Sequence, residues 1–113
     1  MICIVASVTD ADTIRCTDRT AIRIAGINAR EKDASCRRNA PCPPMRHAQA
    51  KPIVERLTLR RRLVCQPVGT SYRRVVARCT LPGGRSLSCA VIAAGAAVRW
   101  DRYWLGYGMG ECR

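Results

Sequence analysis

Eight cysteines in a chain of 113 residues constrain its possible folds more strongly than any other feature of the sequence. They lie at Cys3, Cys16, Cys36, Cys42, Cys65, Cys79, Cys89 and Cys112. Up to four disulfides can form, with about 105 full connectivities. Because there is no C-x-x-C pair and His47 is the only histidine, a structural zinc site is the weaker interpretation. We therefore expect disulfides and an oxidising location, extracytoplasmic or secreted.

Positions along the chain suggest two of the bridges. A Cys36–Cys42 bridge would close one short loop, and Cys65 with Cys79 would join two strands that are predicted to be neighbours. Cys89 or Cys3 is also compatible with a simple buried thiol. The sequence leaves the connectivity open.

Short apolar and β-branched runs predict five strands, at residues 2–8, 13–16, 21–27, 62–68 and 72–81. The last two strands are predicted to form a hairpin around the G-T-S stretch that begins at Gly69. Helical spacing of apolar residues predicts helices over 47–60 and 86–97, and a proline-rich loop covers 31–45. This order is typical of a small barrel with helices on its outside. We predict a mainly β fold, a five-stranded OB-type barrel with two or three packed helices.

The length suits a single domain over residues 1–113. No stretch approaches the ~18 consecutive apolar residues of a membrane span, and the first residues show no secretory signal. Most aromatic residues lie near the C-terminus, at Trp100, Tyr103, Trp104 and Tyr107. They are compatible with stacking on bases and with packing this segment against the barrel.

Basic residues greatly outnumber acidic ones, 20 against 8, which gives a formal net charge of +12. All but Lys32 and Lys51 of the basic residues are arginines, whose planar guanidinium groups suit phosphate oxygens. A polyanionic partner is expected, nucleic acid first and an anionic membrane surface second. The alternative is an arginine-rich surface that only reflects genome composition.

The stretch I-R-I-A-G-I-N-A-R-E, residues 22–31, places Arg23 within a buried strand and Glu31 just beyond its end. Asp12 lies at the break after the first strand, and Arg74 lies near the start of the fifth. If the second and third strands pair through the turn at 17–20, the break and the strand end share one edge of the sheet. Phosphodiester hydrolysis needs such a set: hard oxygen ligands for a cation, a carboxylate base and fixed positive charges.

These residues resemble the thermonuclease (staphylococcal nuclease-like) family. Its pattern combines a D-G-D-T turn, an R-hydrophobic-x-G-[IV]-D-x-P-E strand end, a Y-[GNR]-R hairpin and a helix that ends near G-x-A. The matching stretches here are V-T-D-A-D-T-I, I-R-I-A-G-I-N-A-R-E, A-Q-A-K, Y-R-R-V-V-A-R-C and A-G-A-A-V-R-W. They cover about residues 4–103 in the same order, leaving 104–113 as a C-terminal tail. The resemblance implies an OB-type barrel and a monomeric, calcium-dependent nuclease that cuts DNA or RNA with little sequence preference.

On the catalytic side, the resemblance assigns the general base to Glu31. Arg23 and Arg74 would bind the scissile phosphate, and Arg74 could also assist the leaving oxygen. Tyr72 would line the nucleotide pocket. Without the resemblance, Arg23 could be a solvent-facing edge arginine and Glu31 an ordinary loop carboxylate.

On the metal side, the resemblance implies that Asp12, Asn28 and the backbone carbonyl of Ala29 bind calcium. Asn28 replaces the family aspartate, so the site has one negative charge less and should bind calcium more weakly. Ala11 replaces the family glycine, which would strain the turn by about 1 kcal/mol if a positive φ is needed there. Arg30 replaces a proline, which we expect to loosen the loop that directs Glu31 and to put a cation beside the metal.

Two other function classes stay open. The first is an OB-type nucleic-acid-binding module that keeps the basic groove but has lost catalysis through the changes at the metal site. The second is a secreted cationic protein that acts on membranes or on another protein. It explains the charge and the cysteines but not the ordered pattern.

Overall fold

The computed structural model describes residues 1–112. Its strands are β1 (Ile2–Asp10), β2 (Thr13–Cys16), β3 (Ala21–Ile24), β4 (Ile27–Asn28), β5 (Arg62–Ser71), β6 (Arg74–Thr80) and β7 (Val98–Arg99). Its helices are α1 (His47–Thr58), α2 (Leu87–Ala93) and α3 (Asp101–Gly106).

Five of the strands form a closed barrel in the order β1-β2-β3-β6-β5. All neighbours are antiparallel except β3 and β6, which run parallel. β4 and β7 form a separate two-stranded sheet. The predicted five-stranded OB-type barrel with packed helices is confirmed. None of the helices in residues 1–112 has both the length and the apolar character needed to cross a membrane.

Alternation along the strands fills the barrel. In β1, Cys3 and Val5 point inward and are buried, whereas Ile2 and Ile4 lie outside. The core also includes Trp104, which is 2% exposed and donates its indole N–H to the Gly110 carbonyl at 2.7 Å. Met109, in the C-terminal tail, also packs against this core.

The predicted strand 21–27 is divided in two at Gly26. Gly26 has a φ of +78°, which ends β3 and redirects the chain into β4. A Cβ at this position would lie 2.8 Å from Cε3 of Trp104, so a larger residue would also displace the core tryptophan. This break decides the direction in which Asn28 and the following residues leave the barrel.

The predicted hairpin around the G-T-S stretch is shifted by two residues. β5 runs on through Ser71, which pairs with Arg74, so Tyr72 and Arg73 form the turn. Tyr72 has a φ of +56°, a turn conformation that cannot continue a strand. The helices are shorter than predicted, ending at Thr58 and Ala93, and the C-terminal segment contains the additional helix α3.

Four disulfides connect neighbouring elements: Cys3–Cys16, Cys36–Cys42, Cys65–Cys79 and Cys89–Cys112. The two bridges predicted from chain position are confirmed. The suggestion that Cys3 or Cys89 is a simple thiol is wrong, because pairing of β1 with β2 and the return of the C-terminal segment to α2 each bring a second cysteine within reach. Four bridges indicate an oxidising environment.

Candidate functional site

Arg23 on β3 is the centre of a buried charge cluster. It is 6% exposed, and its Nη2 lies 3.4 Å from Oδ2 of Asp12. The guanidinium also donates to the carbonyls of Ile24 (3.0 Å) and Ile27 (2.8 Å), which hold it in a fixed orientation. A guanidinium has five N–H groups, so donors remain for a ligand.

Burial lowers the pKa of Arg23 from its ordinary value, and the negative charge of Asp12 opposes this effect. The positive charges of Arg37 and Arg74 lower this pKa further, whereas Glu31 raises it. These four side chains are therefore close enough to Arg23 to alter its electrostatics. With three arginines and two carboxylates, the cluster carries an excess of positive charge and suits an anionic ligand.

Asp12 joins the turn after β1 to the end of the third strand. Its Oδ2 accepts from the Ala29 N–H at 3.3 Å, and its backbone carbonyl accepts from the Ile24 N–H at 2.8 Å. Its Oδ1 accepts from the Thr13 hydroxyl at 3.0 Å. The structure thus brings Asp12 and Ala29, two of the predicted metal ligands, into direct contact.

Arg74, at the start of β6, approaches the same carboxylate through Thr13. Its Nη1 donates to the Thr13 hydroxyl oxygen at 3.1 Å, and its Nη2 donates to Oγ of Ser71 at 3.1 Å. A chain of contacts therefore runs from Arg23 through Asp12 and Thr13 to Arg74. Both predicted phosphate-binding arginines belong to one network.

Glu31 lies at the rim of this network and forms an ion pair that the sequence did not predict. Its Oε1 is 3.5 Å from Nε of Arg37, and its side chain is 39% exposed. Arg37 follows Cys36 within the loop that the Cys36–Cys42 bridge closes. The turn that brings Arg37 back is made by the backbone, since the Glu31 N–H donates to the Ser35 carbonyl at 2.8 Å.

Asn28 is fully buried and has one polar atom without a partner. Its Nδ2 donates to the Pro41 carbonyl at 2.9 Å, whereas its Oδ1 has no hydrogen-bond partner. Flipping the amide would put two acceptors face to face, so the Pro41 carbonyl fixes the orientation of the side chain. A buried unpaired oxygen is costly, and a cation is one ligand that would satisfy it.

The predicted calcium ligands supply two kinds of side-chain oxygen. They are the Asp12 carboxylate and the free Oδ1 of Asn28, with the Ala29 backbone beside them. In residues 1–112 no three histidine, cysteine, aspartate or glutamate side chains gather in one metal-binding group. Since charge holds a hard dication, a single carboxylate supports only modest affinity.

Two expectations about the metal side are wrong. Ala11 does not have a positive φ, so the turn carries no strain from the missing glycine. Arg30 does not loosen the loop: its Nε donates to the Pro43 carbonyl at 2.7 Å, and its Nη1 donates to the Ala34 carbonyl at 2.8 Å. The guanidinium replaces a proline's rigidity with hydrogen bonds that fasten the loop.

A cleft of about 110 Å³ opens beside Arg23 and Arg37, and aromatic rings from the C-terminal segment line it. We call it the aromatic cleft. Trp100 and Tyr103 pack edge to face at 4.8 Å between ring centroids, and Tyr103 and Tyr107 stack at 5.9 Å. Of the two uses considered for these aromatic residues, packing against the barrel occurs at Trp104, which enters the core, whereas the other three rings line the cleft.

Tyr72, the predicted pocket residue, lies elsewhere. It is 90% exposed in the β5–β6 turn, and the centroid of its ring is 5.9 Å from Cζ of Arg74. The tyrosines that line the aromatic cleft are Tyr103 and Tyr107. The sequence signal for these two was their spacing on one face of α3.

Comparison with models of known protein families finds no match to this chain. Comparison with characterised proteins finds none either. The features of the molecule that bear on function are two fixed guanidinium groups, a carboxylate beside them and an aromatic cleft that opens next to Arg23.

Proposed function

We propose that this protein hydrolyses phosphodiester bonds of nucleic acids with little sequence preference, as a secreted monomeric nuclease of the thermonuclease type. The observation that supports this most is the gathering of Asp12, Glu31 and Arg74 around the buried guanidinium of Arg23. Carboxylates beside fixed guanidinium groups are what an in-line attack of water on phosphorus requires.

In this reaction, Arg23 and Arg74 bind the non-bridging oxygens of the scissile phosphate. Their existing hydrogen bonds to Ile27 and Ser71 keep them in place, so little reorganisation is needed as negative charge develops. The aromatic cleft next to Arg23 receives a neighbouring base by stacking, which works for every base and therefore gives little sequence preference.

Glu31 takes a proton from the attacking water while the oxygen of that water forms a bond to phosphorus. The bond to the leaving oxygen breaks, and this oxygen takes up a proton from solvent or from Arg74. At rest, the Glu31 carboxylate forms an ion pair with Arg37. An incoming phosphate attracts Arg37 and so frees the carboxylate to act as a base.

A calcium ion, held by Asp12 and Asn28 with the Ala29 carbonyl, would add positive charge that stabilises the transition state. The residues predicted to bind it provide one carboxylate and one free amide oxygen, so we propose weak binding.

The competing function is a nucleic-acid-binding module without catalysis. The ion pair between Glu31 and Arg37 favours it, because Arg37 occupies the carboxylate that would have to face the attacking water. In that case Arg23, Arg74 and the aromatic cleft bind a strand and release it intact.

Cleavage of labelled single-stranded DNA with calcium separates these functions. Glu31→Gln should reduce the cleavage rate by about 10²–10⁴-fold, the usual contribution of a general base, and leave binding in EDTA intact. Glu55→Gln, the same change on α1, is the matched control and should cleave normally. Salt-sensitive binding of DNA by the wild type without product in any divalent ion would establish the binding module instead.

A further inference from the structure

A second groove begins at Arg74 and leads away from the aromatic cleft. It has a volume of about 410 Å³, and four arginines line it: Arg15, Arg19, Arg73 and Arg74. We call it the arginine groove. Nothing in the hydrolysis described above uses the first three of these residues.

The local structure explains why these arginines share one groove. Arg15 is exposed on the outer face of β2, and Arg19 follows in the turn to β3. The Nη1 of Arg15 donates to the Arg19 carbonyl at 2.8 Å, which keeps the arginine side chain against the turn. Arg73 comes from the β5–β6 turn, whose strand β6 lies beside β3 in the barrel.

The groove carries positive charge that the protein does not neutralise. In residues 1–112 the side chains of Arg15, Arg19 and Arg73 take part in no ion pair. The single carboxylate in the lining, Asp10, lies 2.9 Å from Nε2 of His47, and four arginines outnumber it. Three unpaired guanidinium groups beside Arg74 repel one another and favour a polyanion over a single small anion.

The groove and the aromatic cleft are neighbours, because Arg74 of the groove donates to Ser71, which lines the cleft. Arg74 lines the groove and donates to Thr13, which also lies in its wall. Thr13 in turn donates to Asp12, the partner of Arg23, and Arg23 lines the aromatic cleft. Arg74 therefore lies between the aromatic cleft and the unpaired arginines of the groove, and hydrogen bonds connect it to Arg23.

We infer that the arginine groove binds the backbone phosphates of a nucleic-acid strand that continues beyond the phosphate at Arg23 and Arg74. This inference rests on the proposed function of that site. It identifies the substrate as a chain of several nucleotides that extends on both sides of the bound phosphate, which is the requirement for cutting within a strand. Stacking on one side and backbone contacts on the other suit a single strand.

Binding measured without cleavage tests this inference. The probe is a fluorescent deoxythymidine oligonucleotide of about twelve nucleotides, titrated in EDTA at several salt concentrations. Each lost phosphate contact lowers the slope of log affinity against log salt by about 0.7 for a single strand, so Arg15→Gln/Arg73→Gln should lower it by about 1.4. From about 50 to about 200 mM salt, this variant should lose about sevenfold less affinity than the wild type.

The matched control is Arg62→Gln/Arg85→Gln, which removes the same net charge from exposed arginines outside the groove and the cleft. Its salt slope should equal that of the wild type. A thymidine dinucleotide, which has one phosphodiester, should bind equally to both variants when followed by NMR shifts. Equal salt slopes for the two double variants on the long probe would overturn the inference.

This test is separate from that of the hydrolysis. If the wild type binds the long probe but never cuts DNA, the proposed nuclease fails while the groove inference stands or falls on the two double variants. If it cuts DNA and both double variants bind with the wild-type slope, the groove inference fails and the nuclease stands. Circular dichroism and thermal unfolding of each variant confirm that a lost contact is not a lost fold.

Discussion

Replacing Asn28 with aspartate would supply a second carboxylate, the residue found at the matching position of the thermonuclease pattern that the sequence resembles, and should make the stability of the protein depend on calcium. Asn28 is fully buried and donates to the Pro41 carbonyl at 2.9 Å. An aspartate keeps the shape but replaces this donor with an acceptor that faces another acceptor. It also adds a buried negative charge next in the chain to Ala29, whose N–H donates to the carboxylate of Asp12, the partner of Arg23.

The expected cost without a cation follows from these contacts. Leaving buried acceptors unpaired costs about 1–3 kcal/mol, and an uncompensated buried charge costs about 3–5 kcal/mol. The positive charges of Arg23 and Arg37 offset part of the second amount, so about 3 kcal/mol is expected for Asn28→Asp in EDTA. For a domain of this size that lowers Tm by about 12 °C.

Calcium should reverse most of this loss. A ligand at about 100 times its Kd stabilises the folded state by about 2.7 kcal/mol, close to the expected cost. The wild type has a single carboxylate at the site, so its Tm should rise much less at the same calcium concentration. The assay is thermal or urea unfolding in EDTA and in calcium. Magnesium, which is smaller and loses its water reluctantly, serves as the comparison ion.

The control is Asn39→Asp, the same chemical change at the only other asparagine of the chain. Asn39 is exposed in the loop between Glu31 and α1, so its replacement should alter stability by less than about 0.5 kcal/mol with or without calcium. If Asn28→Asp gains no more stability from calcium than the wild type does, the assignment of Asn28 to a cation site is refuted. Cleavage should rise in step with calcium affinity.

Three further predictions concern the loops and bridges. Replacing both cysteines of the Cys89–Cys112 bridge by alanine should cost about 3.4 kcal/mol in urea unfolding, because that bridge closes a loop with a sequence separation of 23. The Cys36–Cys42 bridge, with a separation of 6, should cost only about 2.4 kcal/mol. Its loss should nevertheless weaken oligonucleotide binding more, since it releases the loop that carries Arg37; the opposite order would contradict the role given to this loop. NMR should find the pKa of Asp18 below 3.8, because the Thr20 backbone N–H donates to its carboxylate. Because the pKa of Asp18 is lower in the folded state, the stabilisation from its ionised carboxylate is present above the unfolded-state pKa and is lost as pH falls through the folded-state pKa. A titration midpoint of Asp18 at or above 3.8 would show that the hydrogen bond does not form in solution.

Much of the barrel could be predicted from the sequence because its signals are local. Alternation in residues 2–8 and the turn at 17–20 set the first three strands, and the short spacing of Cys36 and Cys42 sets their bridge. Arg23 and Arg74 could also be selected from the sequence as candidate phosphate-binding residues, since each occupies a fixed position in a predicted strand.

The errors arose where a distant part of the chain decides a local structure. The strand over 21–27 breaks because Gly26 must make room for Trp104, and Cys3 is bridged because β2 returns along β1. Tyr72 lies in a turn rather than in a strand because the pairing of Ser71 with Arg74 extends β5. The secondary-structure propensity of one segment carries no information about its contacts with distant segments.

The sequence by itself determined which chemical groups are present: an excess of guanidinium groups, few carboxylates and enough cysteines for four bridges. It also contains the alternation that folds a barrel. Only the tertiary structure decided which of these groups lie next to one another. It joined Arg74 to Thr13 across 61 residues, paired Glu31 with Arg37 and left Oδ1 of Asn28 without a partner. The physical reason is that strand periodicity depends on residues that are neighbours in the chain, whereas the pairing and burial of a charge depend on which segments the closed barrel brings together.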